Sequence, residues 1–322
     1  MREKLLGRSV KDYRLKEHMS VGELIDCMRY SGGFTAKNLA EAARILVDVL
    51  RDGDYTLLFS FPACIAATGL RGVIADFIGR GYVDGVVTTG GTIDHDIARA
   101  YGEYYHGSFD LDDVLLSKLN IHRLGNLLIP MENYGLLIES KITPILDELS
   151  SVKDRWSVRE LCWEIGRRIE DENSILRALY LCKTPLYSLG VLDSCFGFQL
   201  FLYSRRRKFD VDFWSDMSSL LDQVYDAEKL AALIVGGGIS KHTVIWYSQF
   251  RGGLDKAVYV TTAVEYDGSL SGARPREAIS WGKLKPEADY AVIDGEATVI
   301  LPILLSAVYE KIGGSVDVGC GA

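Results

Sequence analysis

Proline and cysteine are scarce in this 322-residue chain, at 7 and 6 residues, and no apolar run is long. The longest, Ala297 to Val308, is broken by Pro302 and falls well short of the ~20 residues that cross a bilayer. The opening stretch MREKLLGRSVKDYR has no signal-peptide core, so a soluble, cytoplasmic protein without a membrane partner is expected. Cys27, Cys64, Cys162, Cys182, Cys195 and Cys320 include no CxxC pair, and neither disulfides nor a zinc site are expected. Basic residues are in deficit, 36 Lys and Arg against 44 Asp and Glu. The resulting formal charge of −8 argues against nucleic acid and suits a cationic substrate drawn by long-range attraction. Repeats and low-complexity tracts are missing too, and at 48% hydrophobic content one large domain is the simplest reading.

What is present is a rhythm of apolar runs ending in small-residue turns. Apolar positions from Leu39 to Leu50 recur at helical spacing and stop before Gly53. Strands are expected at Tyr55–Phe61, Val83–Thr88, Thr184–Gly190, Leu230–Val235, Ala257–Val260 and Tyr290–Ile293. Helical patterns occupy 73–80, 94–101 and the charged stretch 152–180, whose Trp156, Leu161, Ile165, Ile169 and Ile175 are candidate core contacts. Strands alternating with helices predict a doubly wound, mostly parallel, Rossmann-like α/β sheet in a single domain, 21–312. Residues 1–20 read as an arm, Pro302 as the first turn of a last helix ending near Ile312, and 313–322 as a mobile tail. Arg205 to Lys208 is a basic run best read as a solvated turn.

Ligands of such a sheet sit outside the carboxyl ends of the strands, where the Gly-rich and acidic loops fall. Thr89, Gly90 and Gly91 stand between a strand and a helix, which suits a phosphate, although the strict GxGxxG and P-loop patterns are both absent. The loop Thr261 to Lys283 ends on a lysine flanked by Trp281 and Leu284. Apolar neighbours lower a lysine's affinity for its proton, and a neutral lysine amine attacks carbonyls and imines. Asp94, His95 and Asp96, and His106 with Asp110, Asp112 and Asp113, lack metal-ligand spacing and read as helix caps, so no metal is expected.

The segments DGSLSGARPREAISWGK (Asp267 to Lys283) and GGGISKH (Gly236 to His242) resemble the signature segments of deoxyhypusine synthase, in particular its archaeal branch. VTTGGTIDHD (Val87 to Asp96), RLGNLLIPMENYG (Arg123 to Gly135) and SGGFTAKNL (Ser31 to Leu39) follow in the family's order, so the likeness runs from about Met19 to about Lys311. The resemblance implies an NAD-dependent transferase that moves the aminobutyl group of spermidine, through an imine on Lys283, to one lysine of the translation initiation factor 5A precursor. It also implies a homotetramer with sites at subunit interfaces.

By the same resemblance, Gly237, His242, Gly268, Ser269, Glu277 and Trp281 hold the donor, and His242 acts as a base. Ala63, Cys64, Ala67, Thr89, Gly90, Gly91, Asp193, Thr262, Ala263, Asp267, Glu296 and Ala297 hold NAD. Relative to the eukaryotic pattern, Leu270 and Phe198 replace polyamine-facing acids, His95 a glutamate, Trp246 an asparagine, and Cys64 the asparagine of the cofactor turn. The loss of a carboxylate at Phe198 leaves the identity of the donor open. A homospermidine-synthase-like transfer to a diamine and a non-catalytic NAD-binding relative are the competing readings.

Overall fold

The computed structural model describes residues 6, 7 and 9–313; the expectation of a mobile tail falls almost wholly outside them. Six parallel strands form the main sheet: β1 (Tyr55–Phe61), β2 (Gly85–Thr88), β3 (Leu186–Tyr187), β4 (Lys229–Val235), β5 (Leu254–Thr261) and β6 (Leu284–Asp294). Their order across the sheet is β6-β5-β4-β1-β2-β3, all neighbours parallel. Two halves therefore run outward from the β1/β4 junction, the topological switch point at which open α/β sheets take their ligands.

Period-two alternation sorts each strand between two apolar layers. Leu57, Phe59 and Phe61 of β1 pack with Leu233, Val235, Val258 and Val260 beneath the helices Ala36–Arg51 and Ala297–Ile312. Leu58, Ala232, Ile234, Ala257 and Tyr259 face the other way, onto Leu220, Val224, Val244 and Ile245 of the helices Phe213–Asp226 and Gly238–Gln249.

The structure differs from the sequence reading in several places. β6 starts at Leu284, six residues before the expected Tyr290, because Lys285, Pro286 and Glu287 hide it; its register against β5 shifts there, and an edge strand tolerates a proline. Pro302 lies inside the last helix, which begins at Ala297 on the Glu296 cap, and is not in its first turn. The stretch 152–180 is not one helix but two, Val158–Gly166 and Ile175–Cys182, each opened by a serine cap, although its five named core residues are buried as expected. A small antiparallel sheet of Tyr105–His106, Ile121–Leu124 and Leu127–Pro130 gave no usable signal. Cys182 is disulfide-bonded, contrary to expectation, while Cys27, Cys64, Cys162 and Cys195 are free thiols. Residues 9–20 form no helix or strand, Arg205 to Lys208 are an exposed turn, and none of the described helices is long and apolar enough to cross a membrane.

The acidic run after the Gly90–Gly91 turn caps helices, though not its own. Asp94 accepts hydrogen bonds from the backbone N–H of Cys195 and Phe196, at 2.9 and 2.7 Å, and one from the Tyr134 hydroxyl. Asp96 accepts from the N–H of Ile175 and Leu176, from Ser174 and from the Arg71 guanidinium. Both carboxylates thereby fix the helix Gly90–Tyr101 against the starts of two later helices.

Candidate functional site

Because the strands are parallel, every loop after a strand emerges at one edge of the sheet. Three such loops meet at the β1/β4 junction. A Cβ on Gly91 would stand 2.9 Å from that of Ala63, and one on Gly90 would collide with Ser194 and the Val191 carbonyl, which seats the 191–194 loop with Asp193 beside the turn. Gly236, in the left-handed region at φ +72°, packs against Pro62. The helices Gly90–Tyr101 and Gly238–Gln249 both begin without a side-chain cap, so their first N–H groups remain available to an anion. This cradle of small residues and free donors fits a dinucleotide's pyrophosphate. Glu296 is committed in part, since its carboxylate accepts from Thr298 N–H at 2.9 Å as the cap of the last helix. The far end of the cradle is shared by β5 and β6: Ala263 N–H bonds Thr261 Oγ1, and Gly295 N–H bonds the Thr261 carbonyl.

Beside the cradle lies a cleft of about 200 Å³ lined by Lys241, Ile245, Tyr259, Leu270, Ala273, Arg274, Glu277, Ala278, Trp281 and Lys283. Of the residues named for the donor, Glu277, Trp281 and Lys283 line it. Gly237 does not line it; it packs on Ser271, where a Cβ would lie 2.4 Å from the Ser271 Cα. Gly268 and Ser269 do not line it; they form an exposed turn in which Ser269 N–H donates to Asp267 Oδ1 at 2.6 Å. Asp267 is thus occupied within its own loop.

Lys283 is held by its backbone. Its N–H donates to the Ala278 carbonyl at 2.9 Å, and its own carbonyl accepts from Ser248 Oγ and Leu254 N–H. Gly282, at φ +65°, makes the tight turn that follows the helix Pro275–Ser280. With the main chain fixed, the half-buried side chain carries its ammonium 5.2 Å from the Trp281 ring centroid. His242 stacks on Trp246 at 5.7 Å, outside the cleft lining. Burial, then the nearby Lys283 charge, lower its pKa below the ordinary imidazole value, so it is a free base at neutral pH.

Sequence reasoning missed Lys241 and Arg274. Lys241 is 1% exposed, donates to the Ala273 carbonyl at 2.7 Å, and is pushed down to about 8 by burial, with Glu277 acting in opposition. Its place next to His242 in GGGISKH was visible, but lysines are seldom buried and the motif does not show which of the two side chains turns inward. Arg274 pairs with Asp294 at 2.7 Å, tying the cleft to the end of β6. The cleft of a single chain therefore holds three basic residues and one carboxylate, Glu277.

The departures from the eukaryotic pattern separate. Leu270 lines the cleft. Phe198 does not; it lies on the helix Cys195–Ser204, 54% exposed, with its ring 6.1 Å from that of Phe201. His95 bonds the Tyr104 hydroxyl at 2.9 Å, and burial pushes it down to about 4, so it is neutral. Cys64 is exposed in the Ala63 turn. Among the described residues no group of three or more His, Cys, Asp or Glu side chains is placed to hold a metal.

The family model of deoxyhypusine synthase matches residues 23–308. A relative from Sulfurisphaera tokodaii, named probable deoxyhypusine synthase, is 49% identical over 304 residues, covering 94% of this chain and 97% of its own. One from Ignicoccus hospitalis with the same name is 50% identical over 317 residues, 97% of this chain and 98% of its own. The crystal structure of a deoxyhypusine synthase candidate from Entamoeba histolytica superposes with a TM-score of 0.62 at 18% identity, covering 92% of this chain and 96% of that one, and supports the fold. A match that runs from the first helix into the last, with relatives about half identical throughout, means that the chain belongs to the deoxyhypusine synthase family.

Proposed function

We propose that this chain performs its family's reaction: NAD-dependent transfer of the 4-aminobutyl group of spermidine, by way of an imine on Lys283, to one lysine of the translation initiation factor 5A precursor. The observation that carries this reading is Lys283 itself, a side chain with a fixed backbone in a cleft that also presents Glu277 and Trp281. Incubation with NAD and spermidine followed by borohydride and mass spectrometry tests it; a butylamine adduct on Lys283 is the expected result.

In this reading Ala63, Cys64, Ala67, Thr89, Gly90, Gly91, Asp193, Thr262, Ala263, Asp267, Glu296 and Ala297 would hold the cofactor, and the uncapped helix starts offer N–H donors for its phosphates. NAD would take one hydride from the donor and later return it. His242, free of its proton, accepts the one released when the donor amine is oxidised. Lys283 attacks the resulting imine carbon and 1,3-diaminopropane departs. Glu277 pairs an ammonium of the donor, and the Trp281 ring lies along its methylenes. In this reading Glu277 is joined by further carboxylates from a neighbouring subunit. The homotetramer usual in the family supplies one, and the exposed rings of Phe198 and Phe201 offer an apolar face for such a contact. In this reading the protein acts in the cytoplasm.

Two results are expected. Glu277→Gln leaves the fold intact but raises the spermidine concentration needed for half-maximal adduct by roughly tenfold, the effect of losing one charge-assisted bond, with NAD binding unchanged. Equal losses for both ligands would assign Glu277 a structural role. For His242, activity falls only as the base gains its proton, so the acid limb of kcat/KM lies below the ordinary value of 6.5. His242→Ala should remove that limb and slow transfer by ~10²-fold or more; an unchanged pH profile would exclude His242 as the base.

A further inference from the structure

Tyr259 stands on β5, its side chain turned toward the helices Gly238–Gln249 and Pro275–Ser280 and 2% exposed. It lines the Lys283 cleft, yet its hydroxyl has no hydrogen-bond partner among the described residues. Other buried hydroxyls share that condition, on Ser60, Ser188, Tyr247 and Tyr309, but Tyr259 alone of them belongs to this cleft. Buried polar groups are bonded as a rule, and an exception at a cleft is a place that a ligand can complete.

The neighbour that could have satisfied this hydroxyl is engaged elsewhere. Lys241 Nζ lies 4.4 Å from the centre of the Tyr259 ring, over its face, and gives a hydrogen to the Ala273 carbonyl. It braces the ring without bonding the oxygen. Ile245, Leu270 and Ala278 supply apolar lining for the same space, a surface for methylenes, and Glu277 and Lys283 are among its polar lining.

We propose that the Tyr259 hydroxyl binds the amine donor, hydrogen-bonding one of its nitrogens at the floor of the cleft while the methylenes lie along Leu270 and Ile245. This rests on the function proposed above and adds a contact to it. Burial holds the phenol protonated, far above the ordinary tyrosine range, so it donates to a neutral amine and accepts from an ammonium N–H. It is a binding group that takes no proton from the reaction.

Tyr259→Phe deletes one oxygen atom and keeps the ring that Lys241 covers. Two measurements decide the matter: the spermidine concentration giving half-maximal borohydride-trapped adduct on Lys283 in the presence of NAD, and the thermal midpoint of the unligated chain. We expect the first to rise on the order of tenfold and the second to stay or increase, since the variant loses an unpaired buried group. NAD binding should not change. An unaltered spermidine dependence overturns the inference. So does a midpoint lowered by several degrees, because the hydroxyl would then be serving the fold. A wild-type chain that forms no Lys283 adduct overturns the proposed function together with the inference, whereas an adduct equal in wild type and variant overturns the inference alone.

Discussion

Lys283→Arg should form no borohydride-trapped adduct and should lose aminobutyl transfer on the order of a thousandfold or more, while binding NAD as before. Arginine preserves the charge and most of the bulk, so the cleft keeps its field. Its guanidinium does not deprotonate in a protein, and the nucleophile is gone. The contacts that hold this position are made by the backbone, to Ala278, Ser248 and Leu254, and a side-chain exchange leaves them in place. A folded variant with ordinary turnover would remove Lys283 from the mechanism and the imine with it.

The second large effect is on stability. Asp96 is fully buried and Arg71 nearly so, with side-chain exposures of 0% and 3%, and the carboxylate also holds Ser174 and two backbone N–H groups. Asp96→Ala leaves the guanidinium with the partly exposed Asp171 and the backbone carbonyl of residue 96, and takes from the helix Ile175–Cys182 the acceptor of its first two N–H groups, although the Ser174 cap remains. Breaking a buried pair costs about 3–5 kcal/mol, a fall of roughly 10 °C in the thermal midpoint. Asp76→Ala, at the exposed Asp76–Arg80 pair, should cost at most about 1 kcal/mol. Similar losses at both positions would mean that burial is not what gives the Asp96 network its weight.

The sequence made the frame legible because the central strands carry apolar stretches, Leu57–Phe59, Leu230–Val235 and Ala257–Val260, that run on into small-residue loops, a pattern that burial on both faces favours. The outer strand β6 is the exception, exposed enough at its start to carry Lys285, Pro286 and Glu287. Lys283, Glu277 and Trp281 were readable from one contiguous segment. Lys241, Arg274 and Tyr259 were not, because their importance comes from direction and burial. A tyrosine in a strand reads as ordinary core until the structure shows that its oxygen lacks a partner. The acidic run at 94–96 was correctly read as capping, but the capped helices begin at Ile175 and Cys195, far beyond any local pattern.

That long reach has a consequence for how the chain folds. The carboxylates that follow the Gly90–Gly91 turn bond groups up to 102 positions later, so the turn is locked only when the chain beyond Phe196 is available. During synthesis at about 5–20 residues per second, the first half would wait several seconds with Arg71, Asp94 and Asp96 uncommitted. Closing such distant contacts is entropically slow, and it places the cofactor cradle among the late events of folding. A truncated chain ending before Ser174 should therefore fail to form the cradle, even though it contains Ala63, Gly90 and Gly91.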